Sequence, residues 1–421
     1  MKKKNKGEFD AWISKPIITD FDDNDCYKFF MQYAVFKLYP EAMAEYTLIL
    51  RDAVKFPDGF ADELVRQISY FENLRFTPAI EVNFKRRLPY FDNTYYQWLR
   101  GYQYDSSEVT VKQVGTDLHV TVRGYWVRTI LWEVPLMATI SELYFKFNQV
   151  PDFIEINIPR WEEKYRIFAT KKIRVSEFGT RRRKSKAVQE EAIRTFIRIA
   201  PEVLVGTSNV MFSRLFNIPA HGTQAHEWYM FHAVKYGVQM ANRMGLGRWV
   251  DVYHGALGTA LSDTFTTDVF LRDFDLFFAK LFDGPRQDSG NPVTFAEKMI
   301  KHYRDMNITI PITFSHGKTA FIPKTIVFSD SIDSHEKIDN IEEAVFEKIL
   351  SAYGIGVWIS FDIVDLAGVK IKHINMVIKM TSAKPDDKMP WGDCVKLSDS
   401  AGKHTGNQKT VELYKTQLGI E

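Results

Sequence analysis

Residues 204–229 read LVGTSNVMFSRLFNIPAHGTQAHEWY and contain two predicted strand-to-helix junctions. At the first, an apolar run ends in GTSN (206–209), small hydrogen-bonding residues that are typical of a tight turn and a helix N-terminus. At the second, Ile218 and Pro219 lead into HGTQAHEW (221–228). Such junctions are typical of a parallel α/β fold, in which ligands bind at the carboxyl ends of the strands.

The second junction places the imidazole of His226 beside the carboxylate of Glu227 at the start of a predicted helix. A histidine in this position can act as a base, a metal ligand or a nucleophile, and it can equally be a structural polar contact. His221 and His226 do not indicate a zinc site by themselves, because zinc needs at least three protein ligands. No helical H-x-x-x-H and no pair of cysteines supplies the missing ones.

The composition is that of an ordinary globular protein. Of its residues, 45% are hydrophobic and 26% are charged. The length of 421 residues is enough for two or three domains or for one barrel with an appendage. A formal charge of +2 argues against a general nucleic-acid or membrane-surface binder. The two cysteines, Cys26 and Cys394, offer no disulfide framework, so we expect a cytoplasmic protein. We find neither a signal peptide nor a membrane-spanning stretch in the sequence.

The apolar spacing predicts two kinds of domain. In the first third it predicts helices over 20–39, 59–73 and 133–147, a strand over 42–51 and a hairpin over 108–126. From residue 171 onwards it predicts alternating units, with strands over 173–175, 249–253, 276–282 and 324–328 and helices over 186–200 and 337–353. A strand over 374–380 could return to the first domain. We therefore predict an α/β protein, with an irregular α/β barrel at 151–374 and an α+β domain at 1–150 completed by 375–421.

Polar residues follow several of the predicted strands. In SEFGTRRRKS (176–185) the arginines can grip a carboxylate or a phosphate, although they also fit a solvated charge run. In RQDSG, Arg286 can contact a phosphate and Asp288 can accept hydrogen bonds from sugar hydroxyls. Asp263 adds a carboxylate, and carboxylates together with phosphates favour Mg²⁺ over zinc. A helix cap or a solvated turn is the simpler interpretation of each residue taken alone.

Two glycines occur in YGIGV (353–357), between a predicted helix and the strand-like stretch VWISF. Their backbone N–H groups could hold a phosphate. The signal is weak, because the end of a helix explains Gly354 equally well.

Taken together, these motifs resemble the nicotinate phosphoribosyltransferase family. The resemblance covers most of the chain, and its motifs occur in the family's order: TDFDDNDCYKFFM, SEFGTRRRK, GTSN, GTQAHEW, LSDTFTTDVFL, DGPRQDSGNP, VFSD, YGIG and VKLSDSAGKHTG.

The resemblance implies that nicotinate and 5-phosphoribosyl 1-pyrophosphate react to give nicotinate mononucleotide and pyrophosphate, a salvage step of NAD biosynthesis. It also implies Mg²⁺, coupled hydrolysis of ATP through a phosphohistidine, and a homodimer with shared active sites. By position in the GTQAHEW motif, His226 would be the residue that is phosphorylated.

The resemblance assigns further roles by position. It implies nicotinate contacts for Tyr27 (from the partner subunit), Phe178, Thr180, Arg181 and Ser208. It implies phosphoribosyl or phosphate contacts for Asp263, Arg286, Asp288, Ser289, Asp330, Gly354 and Gly356. The glycine loop reads GIGV where the family more often has GIGT, so Val357 lacks a hydroxyl that could contact phosphate, and we expect a modest weakening.

Three alternatives stay open. Ser208 stands where nicotinamide-using relatives carry an aspartate, and a neutral residue suits an anionic substrate, which argues against a nicotinamide-specific enzyme. A metal-dependent hydrolase could use His221, His226, His254 and Asp263 as ligands. A catalytically inactive interaction protein is the third alternative, and the presence of His226, Arg286 and Asp288 argues against it.

Overall fold

The computed structural model describes residues 6–314, 317–400 and 404–420, without the side chains of residues 6 and 312–320. The chain forms two compact units that interleave along the sequence. Unit 1 comprises Met1–Lys172, Ser176–His221 and Gly356–Met380, and unit 2 comprises Ile173–Val175, Gly222–Ile355 and Thr381–Glu421. The predicted domain bounds, 1–150 with 375–421 and 151–374, stay a prediction.

Unit 1 combines helices with an antiparallel sheet. Its helices are Lys6–Ile13, Cys26–Leu38, Phe60–Phe71, Pro78–Arg87, Asn93–Gly101, Trp126–Thr129, Glu133–Phe147, Ile154–Thr170, Lys186–Ile199, Val210–Phe216 and Val357–Ser360, with 3₁₀ turns at Ser106–Glu108 and Thr180–Arg182. Its strands are Met43–Leu50, Val109–Val114, Asp117–Tyr125, Leu204–Thr207 and parts of Val175–Glu177 and Met376–Lys384.

The antiparallel sheet of unit 1 is completed from the far end of the chain. Asp117–Tyr125 pairs with Met43–Leu50 on one side and with Val109–Val114 on the other, the second pair being the predicted hairpin. Met376–Lys384 pairs with Met43–Leu50 on the side opposite to Asp117–Tyr125. The Arg51 N–H donates to the Asn375 carbonyl at 2.8 Å and fixes the start of that pairing. The predicted return of the C-terminal region to this sheet is confirmed.

Unit 2 is built on a parallel sheet. The strands of unit 2, four of which form this parallel sheet, are Thr259–Leu261, Gly284–Gln287, Ile310–Phe314, Gly317–Phe328, Ile349–Ile355 and Gly392–Asp393. Its helices are His226–Tyr236, Ala241–Tyr253, Thr267–Asp273, Leu276–Leu281, Pro292–Asp305, His335–Val345 and Gln408–Leu418, with a 3₁₀ turn at Val238–Met240.

Four of these strands pair in parallel, in the order Ile349–Ile355, Gly317–Phe328, Gly284–Gln287, Thr259–Leu261. Their carboxyl ends therefore lie at one edge of the sheet. Together with the alternating helices, this arrangement confirms the predicted α/β class.

The capping residues explain several helix boundaries. The Ser185 hydroxyl accepts from the Val188 N–H and begins Lys186–Ile199, whose buried face carries the predicted apolar stripe. The Asn291 side chain accepts from the N–H groups of Val293 and Thr294 and begins Pro292–Asp305, with Pro292 at the favoured first position of the helix.

Two predicted strands are wrong. Residues 249–253 form the last turns of the helix Ala241–Tyr253, because Leu246, Trp249 and Tyr253 are buried at helical spacing. Residues 276–282 contain the helix Leu276–Leu281, which Asp275 caps by accepting from two N–H groups. Both runs are short and apolar, and such runs fit either period.

The end of the predicted helix 337–353 is also wrong. The helix His335–Val345 ends eight residues early, and Ile349–Ile355 is a strand of the parallel sheet. Gly354 lies inside that strand and not at a helix end. The VWISF stretch, expected to be extended, begins with the short helix Val357–Ser360.

No helix among the described residues is long and apolar enough to cross a bilayer.

Candidate active site

Polar side chains follow the parallel strands of unit 2. Asp263 comes two residues after Leu261, Asp288 follows Gln287 directly, and Asp330 comes two residues after Phe328. His226 is the first residue of the helix His226–Tyr236, so its position is fixed by the helix start. All three carboxylates therefore lie at strand ends, which was predicted for Asp330, whereas the strands before Asp263 and Asp288 were not predicted.

A cluster of charged side chains, buried except for the partly exposed Asp288, forms around the imidazole of His226. Its Nε2 atom lies 3.0 Å from Asp263 Oδ1, 3.5 Å from Asp288 Oδ2 and 2.8 Å from Lys396 Nζ. Lys396 Nζ also donates to Asp263 Oδ2 at 2.7 Å. Lys396 was not identified in the sequence, although it begins the KLSD part of a motif that carried the resemblance.

Burial and charge keep His226 neutral. Burial, followed by the charge of Lys396, lowers the pKa of His226 to about 4, against the opposing effect of Asp263. Burial alone would raise the pKa of Asp263, but His226 and Lys396 hold it well below its usual range. For Asp288, burial is outweighed by Arg286 and His226, and its pKa is also lowered. At neutral pH the cluster therefore contains a neutral imidazole between two carboxylates and an ammonium group.

Hydrogen bonds fix the loop that carries Asp288 and Ser289. The Ser289 hydroxyl donates to Asp263 Oδ2 at 2.6 Å and accepts from the Asp399 N–H at 3.1 Å. The Ser329 hydroxyl donates to Asp288 Oδ1 at 2.8 Å. In this structure the hydroxyl of Ser289 therefore supports Asp263, and its phosphate-binding role stays a prediction.

Arg286 has unused donor capacity. Its Nε atom is buried and makes no hydrogen bond with any described residue. Because a buried donor without a partner costs about 1–3 kcal/mol, this N–H is suited to donate a hydrogen bond to a ligand oxygen. Arg286 lies in the strand Gly284–Gln287, two residues before Asp288.

A resident metal ion does not fit this cluster. His226, Asp263 and Asp288 offer three ligand atoms within 4.8 Å of one another. The ammonium of Lys396 already lies beside Asp263, however, and would repel a second cation there. Within the described ranges, His254 does not join this group; it lies at the end of Ala241–Tyr253 with φ 52°.

The residues assigned to nicotinate lie in unit 1. Tyr27, Thr180 and Ser208 are buried, whereas Phe178 and Arg181 are partly exposed. Phe178 and Thr180 flank Gly179 in the loop after Val175–Glu177, and Arg181 is in the 3₁₀ turn Thr180–Arg182.

Two carboxylates approach these residues in unit 1. Ser208 Oγ donates to Asp25 Oδ1 at 2.8 Å, and Arg181 lies 3.3 Å from Glu133 Oε1. Glu133 is also paired with Lys28. Burial would raise the pKa of Glu133, but Lys28 and Arg181, together with Lys379, lower it to about 2. Neither Asp25 nor Glu133 was predicted from the sequence as a site residue.

The three arginines of SEFGTRRRKS have different partners. Arg181 faces Glu133, Arg182 donates to the Met376 carbonyl at 2.9 Å, and Arg183 is fully buried. Arg183 makes two 2.8 Å hydrogen bonds to the two carboxylate oxygens of Asp23. The solvated charge run is therefore wrong for Arg183, which has a structural partner.

Gly354 and Gly356 fall in different compact units. Gly354 is buried within Ile349–Ile355 in unit 2. Gly356 is in unit 1, where a Cβ at this position would come within 3.1 Å of the Phe178 carbonyl oxygen. A side chain there would press on the loop that carries Phe178.

The buried carboxylate of Glu177 holds the loop that carries Phe178 through hydrogen bonds. Its Oε1 accepts from the Gly179 N–H at 2.5 Å and from Gln189 Nε2 at 3.0 Å, and its Oε2 accepts from Thr207 Oγ1 at 2.7 Å. Burial, with a smaller contribution from Asp25, raises the pKa of Glu177 to about 7 against these hydrogen bonds.

We predict a pH dependence of stability from Glu177. Because its pKa is higher in the folded chain than the ordinary 4.5, its stabilising contribution is full below that value and is lost as the pH rises through about 7. Urea unfolding of wild type and Glu177→Gln, compared between pH 4.5 and 8, measures this. The free-energy difference between the two proteins should shift against wild type with rising pH, and a constant difference contradicts the prediction.

Known proteins are similar to this chain in sequence and in fold. The model of the nicotinate phosphoribosyltransferase (NAPRTase) family matches residues 173–421, and that of the NAPRTase N-terminal domain matches residues 23–141. A nicotinate phosphoribosyltransferase of Desulforapulum autotrophicum is 42% identical over 396 residues, covering 92% of this chain and 96% of its own. One from Chromohalobacter salexigens is 40% identical, with 94% and 97% covered.

A solved structure agrees with these relatives. The crystal structure of nicotinate phosphoribosyltransferase from Porphyromonas gingivalis superposes with a TM-score of 0.90 at 34% identity, covering 96% of this chain and all of the other. The matched models and relatives together extend over both compact units. The chain therefore belongs to the nicotinate phosphoribosyltransferase family.

Proposed function

We propose that this protein transfers the phosphoribosyl group of 5-phosphoribosyl 1-pyrophosphate to nicotinate, giving nicotinate mononucleotide and pyrophosphate for NAD biosynthesis. The observation that carries the proposal is the cluster of His226, Asp263 and Asp288 beside Arg286 at the carboxyl ends of parallel strands. Family membership supplies the substrates, because the relatives are named for this activity.

The chemistry suits a site that stabilises charge. The bond from ribose C1 to the pyrophosphate oxygen breaks, and a bond from C1 to the nicotinate ring nitrogen forms with that nitrogen's lone pair. The departing pyrophosphate gains negative charge, which the Arg286 guanidinium can stabilise through its unused Nε donor. Asp288 and Asp330 can accept hydrogen bonds from the ribose hydroxyls. No general base is needed, so positioning dominates the rate.

We place nicotinate recognition in unit 1, on Phe178, Thr180, Arg181 and Ser208. Arg181 can pair with the nicotinate carboxylate, and Phe178 can stack on the ring. The Ser208 hydroxyl is neutral, but Asp25 lies 2.8 Å from it, and burial raises the pKa of Asp25. A carboxyl group with a raised pKa is protonated more readily, and in its protonated form it does not repel an anionic substrate. Asp25 is therefore compatible with selection of nicotinate over nicotinamide.

We propose further that ATP phosphorylates His226. A nitrogen of the neutral imidazole attacks the γ-phosphorus, ADP leaves, and water later cleaves the P–N bond. The low pKa of His226 supports this role, because only the neutral ring is nucleophilic. Phosphorylation adds negative charge beside Asp263 and Asp288 and can change the affinity for phosphoribosyl pyrophosphate.

Mg²⁺ and a second subunit complete the proposal. Because Lys396 fills the cation position beside Asp263, Mg²⁺ would arrive bound to substrate phosphates and neutralise their charge there. The family pattern implies a homodimer in which Tyr27 contributes to the partner's nicotinate site. The unpaired, buried Cys26 and Cys394 fit a reducing compartment such as the cytoplasm.

A direct assay tests the function. Purified protein is mixed with Mg²⁺, phosphoribosyl pyrophosphate and either nicotinate or nicotinamide, with and without ATP, and mononucleotide is measured by chromatography. We expect product from nicotinate only, in larger amount with ATP. Product from nicotinamide would overturn the interpretation of Ser208. The absence of product from either base would refute the proposed transferase activity and favour the metal-dependent hydrolase instead.

A further inference from the structure

Lys396 is held rigidly in the His226 cluster. Its side chain is 11% exposed, and its N–H donates to the Thr405 carbonyl at 3.0 Å. The N–H of Leu397, the next residue, donates to the Thr264 carbonyl at 2.8 Å, beside Asp263. The backbone therefore fixes the point from which Lys396 reaches His226.

We propose that Lys396 is a positioning residue that holds the His226 imidazole neutral, with its proton on Nδ1 and its Nε2 atom as the acceptor of a Lys396 hydrogen bond. Neither the family match nor the relatives' names assign a role to Lys396. The proposal rests on the proposed function only for what the neutral ring then does.

The donor chemistry of the two side chains selects the tautomer. An ammonium group has three N–H donors and no acceptor, so a 2.8 Å contact between Nζ and Nε2 requires the lone pair of Nε2. Nε2 cannot accept from Lys396 and at the same time donate to Asp263 Oδ1. The contact with Lys396 is shorter than the 3.0 Å contact with Asp263, and Lys396 also bridges to the other Asp263 oxygen.

The charged groups around His226 explain why the ammonium of Lys396 affects the protonation of the imidazole. Asp263 and Asp288 face the ring from two strand ends, and Lys396 faces it from a third segment. Arg286 interacts electrostatically with Asp288. Glu227 follows on the same helix. The two facing carboxylates favour an imidazolium, whereas the ammonium 2.8 Å away opposes it. The low pKa of His226 agrees with this balance.

Lys396 also replaces what a metal ion would do in such a cluster. It compensates the Asp263 carboxylate and keeps the imidazole in one orientation. Unlike a metal ion, it remains in place without substrate.

Nitrogen NMR on the unliganded protein tests the proposal independently of activity. In wild type labelled with ¹⁵N-histidine, with the His226 signals identified by comparison with His226→Gln, we expect a protonated Nδ1 and a bare Nε2. No titration should appear between about pH 5 and pH 8. A proton on Nε2, or a midpoint within that range, would overturn the proposal, and both results are read from wild type alone.

Two variants separate charge from packing. In Lys396→Met the His226 midpoint should rise by about one pH unit or more, because the two carboxylates remain while the cation is gone. In Lys396→Arg the ring should stay neutral. An unchanged midpoint in a folded Lys396→Met protein contradicts the proposal. If the NMR results hold while no mononucleotide is formed, the proposed function fails and the role of Lys396 stands.

Discussion

Replacing His226 with alanine should abolish the stimulation by ATP and the incorporation of phosphate from γ-labelled ATP, while some transfer from phosphoribosyl pyrophosphate to nicotinate persists. The variant has no imidazole nitrogen to attack phosphorus, but Arg286 and Asp288 remain at their strand ends. Lys396 and Asp263 stay paired with each other, so we expect the fold to survive. Product formation with and without ATP, together with acid-labile labelling of the protein, measures the effect.

His254→Asn is the matched control for this experiment. His254 has φ 52° and is not grouped with His226 in the part of the chain described, and asparagine tolerates this left-handed conformation. We expect its ATP stimulation and labelling to equal those of wild type. Labelling that persists in His226→Ala would show that another residue is phosphorylated and would remove His226 from the proposed mechanism.

Replacing Arg183 with methionine should destabilise the protein by about 3–5 kcal/mol, the usual cost of leaving one partner of a buried ion pair uncompensated. Arg183 and Asp23 are both fully buried and share two hydrogen bonds, so the variant leaves a carboxylate without its cation. Because the chain has two compact units, the unfolding midpoint and the protease resistance of unit 1 are the measurements to compare.

Arg181→Lys, two residues away, separates stability from substrate binding. The side chain of Arg181 is 39% exposed, so replacing it with lysine should leave the unfolding midpoint nearly unchanged. A lysine keeps the charge but loses the bidentate geometry, so KM for nicotinate should rise by about tenfold or more. If Arg183→Met proved as stable as wild type while losing nicotinate affinity, the roles of the two arginines would be reversed.

Asp330 could be placed at a strand end because the predicted strand 324–328 comes shortly before it. Asp263 and Asp288 were singled out by their motifs, and the strands that precede them, Thr259–Leu261 and Gly284–Gln287, were not predicted. The ends of parallel strands gather at one edge of a sheet, whatever the exact length of each strand. Asp263 and Asp288 therefore lie at the same edge as Asp330, although two predicted strands and one predicted helix end were wrong. The helix cap at Asp275 was the local signal that distinguished helix from strand, and the prediction did not use it.

Lys396, Asp25, Glu133 and Glu177 could not be found in this way. Lys396 is 170 residues from His226, and a lone lysine in a polar loop has no spacing that marks a partner. Asp25 and Ser208 are 183 residues apart. A buried ion pair is a property of the folded chain, so the partner of each charged group becomes visible only when distant segments are brought together.

The position of Met376–Lys384 in the sheet of unit 1 has a consequence for synthesis on the ribosome. Until residues 376–380 have left the exit tunnel, Met43–Leu50 has a neighbour on one side only. At about 5–20 residues per second, most of the chain is made while this edge has unpaired N–H and C=O groups. We therefore expect nascent or truncated chains that end before residue 376 to need chaperones and to aggregate more readily than the full-length protein.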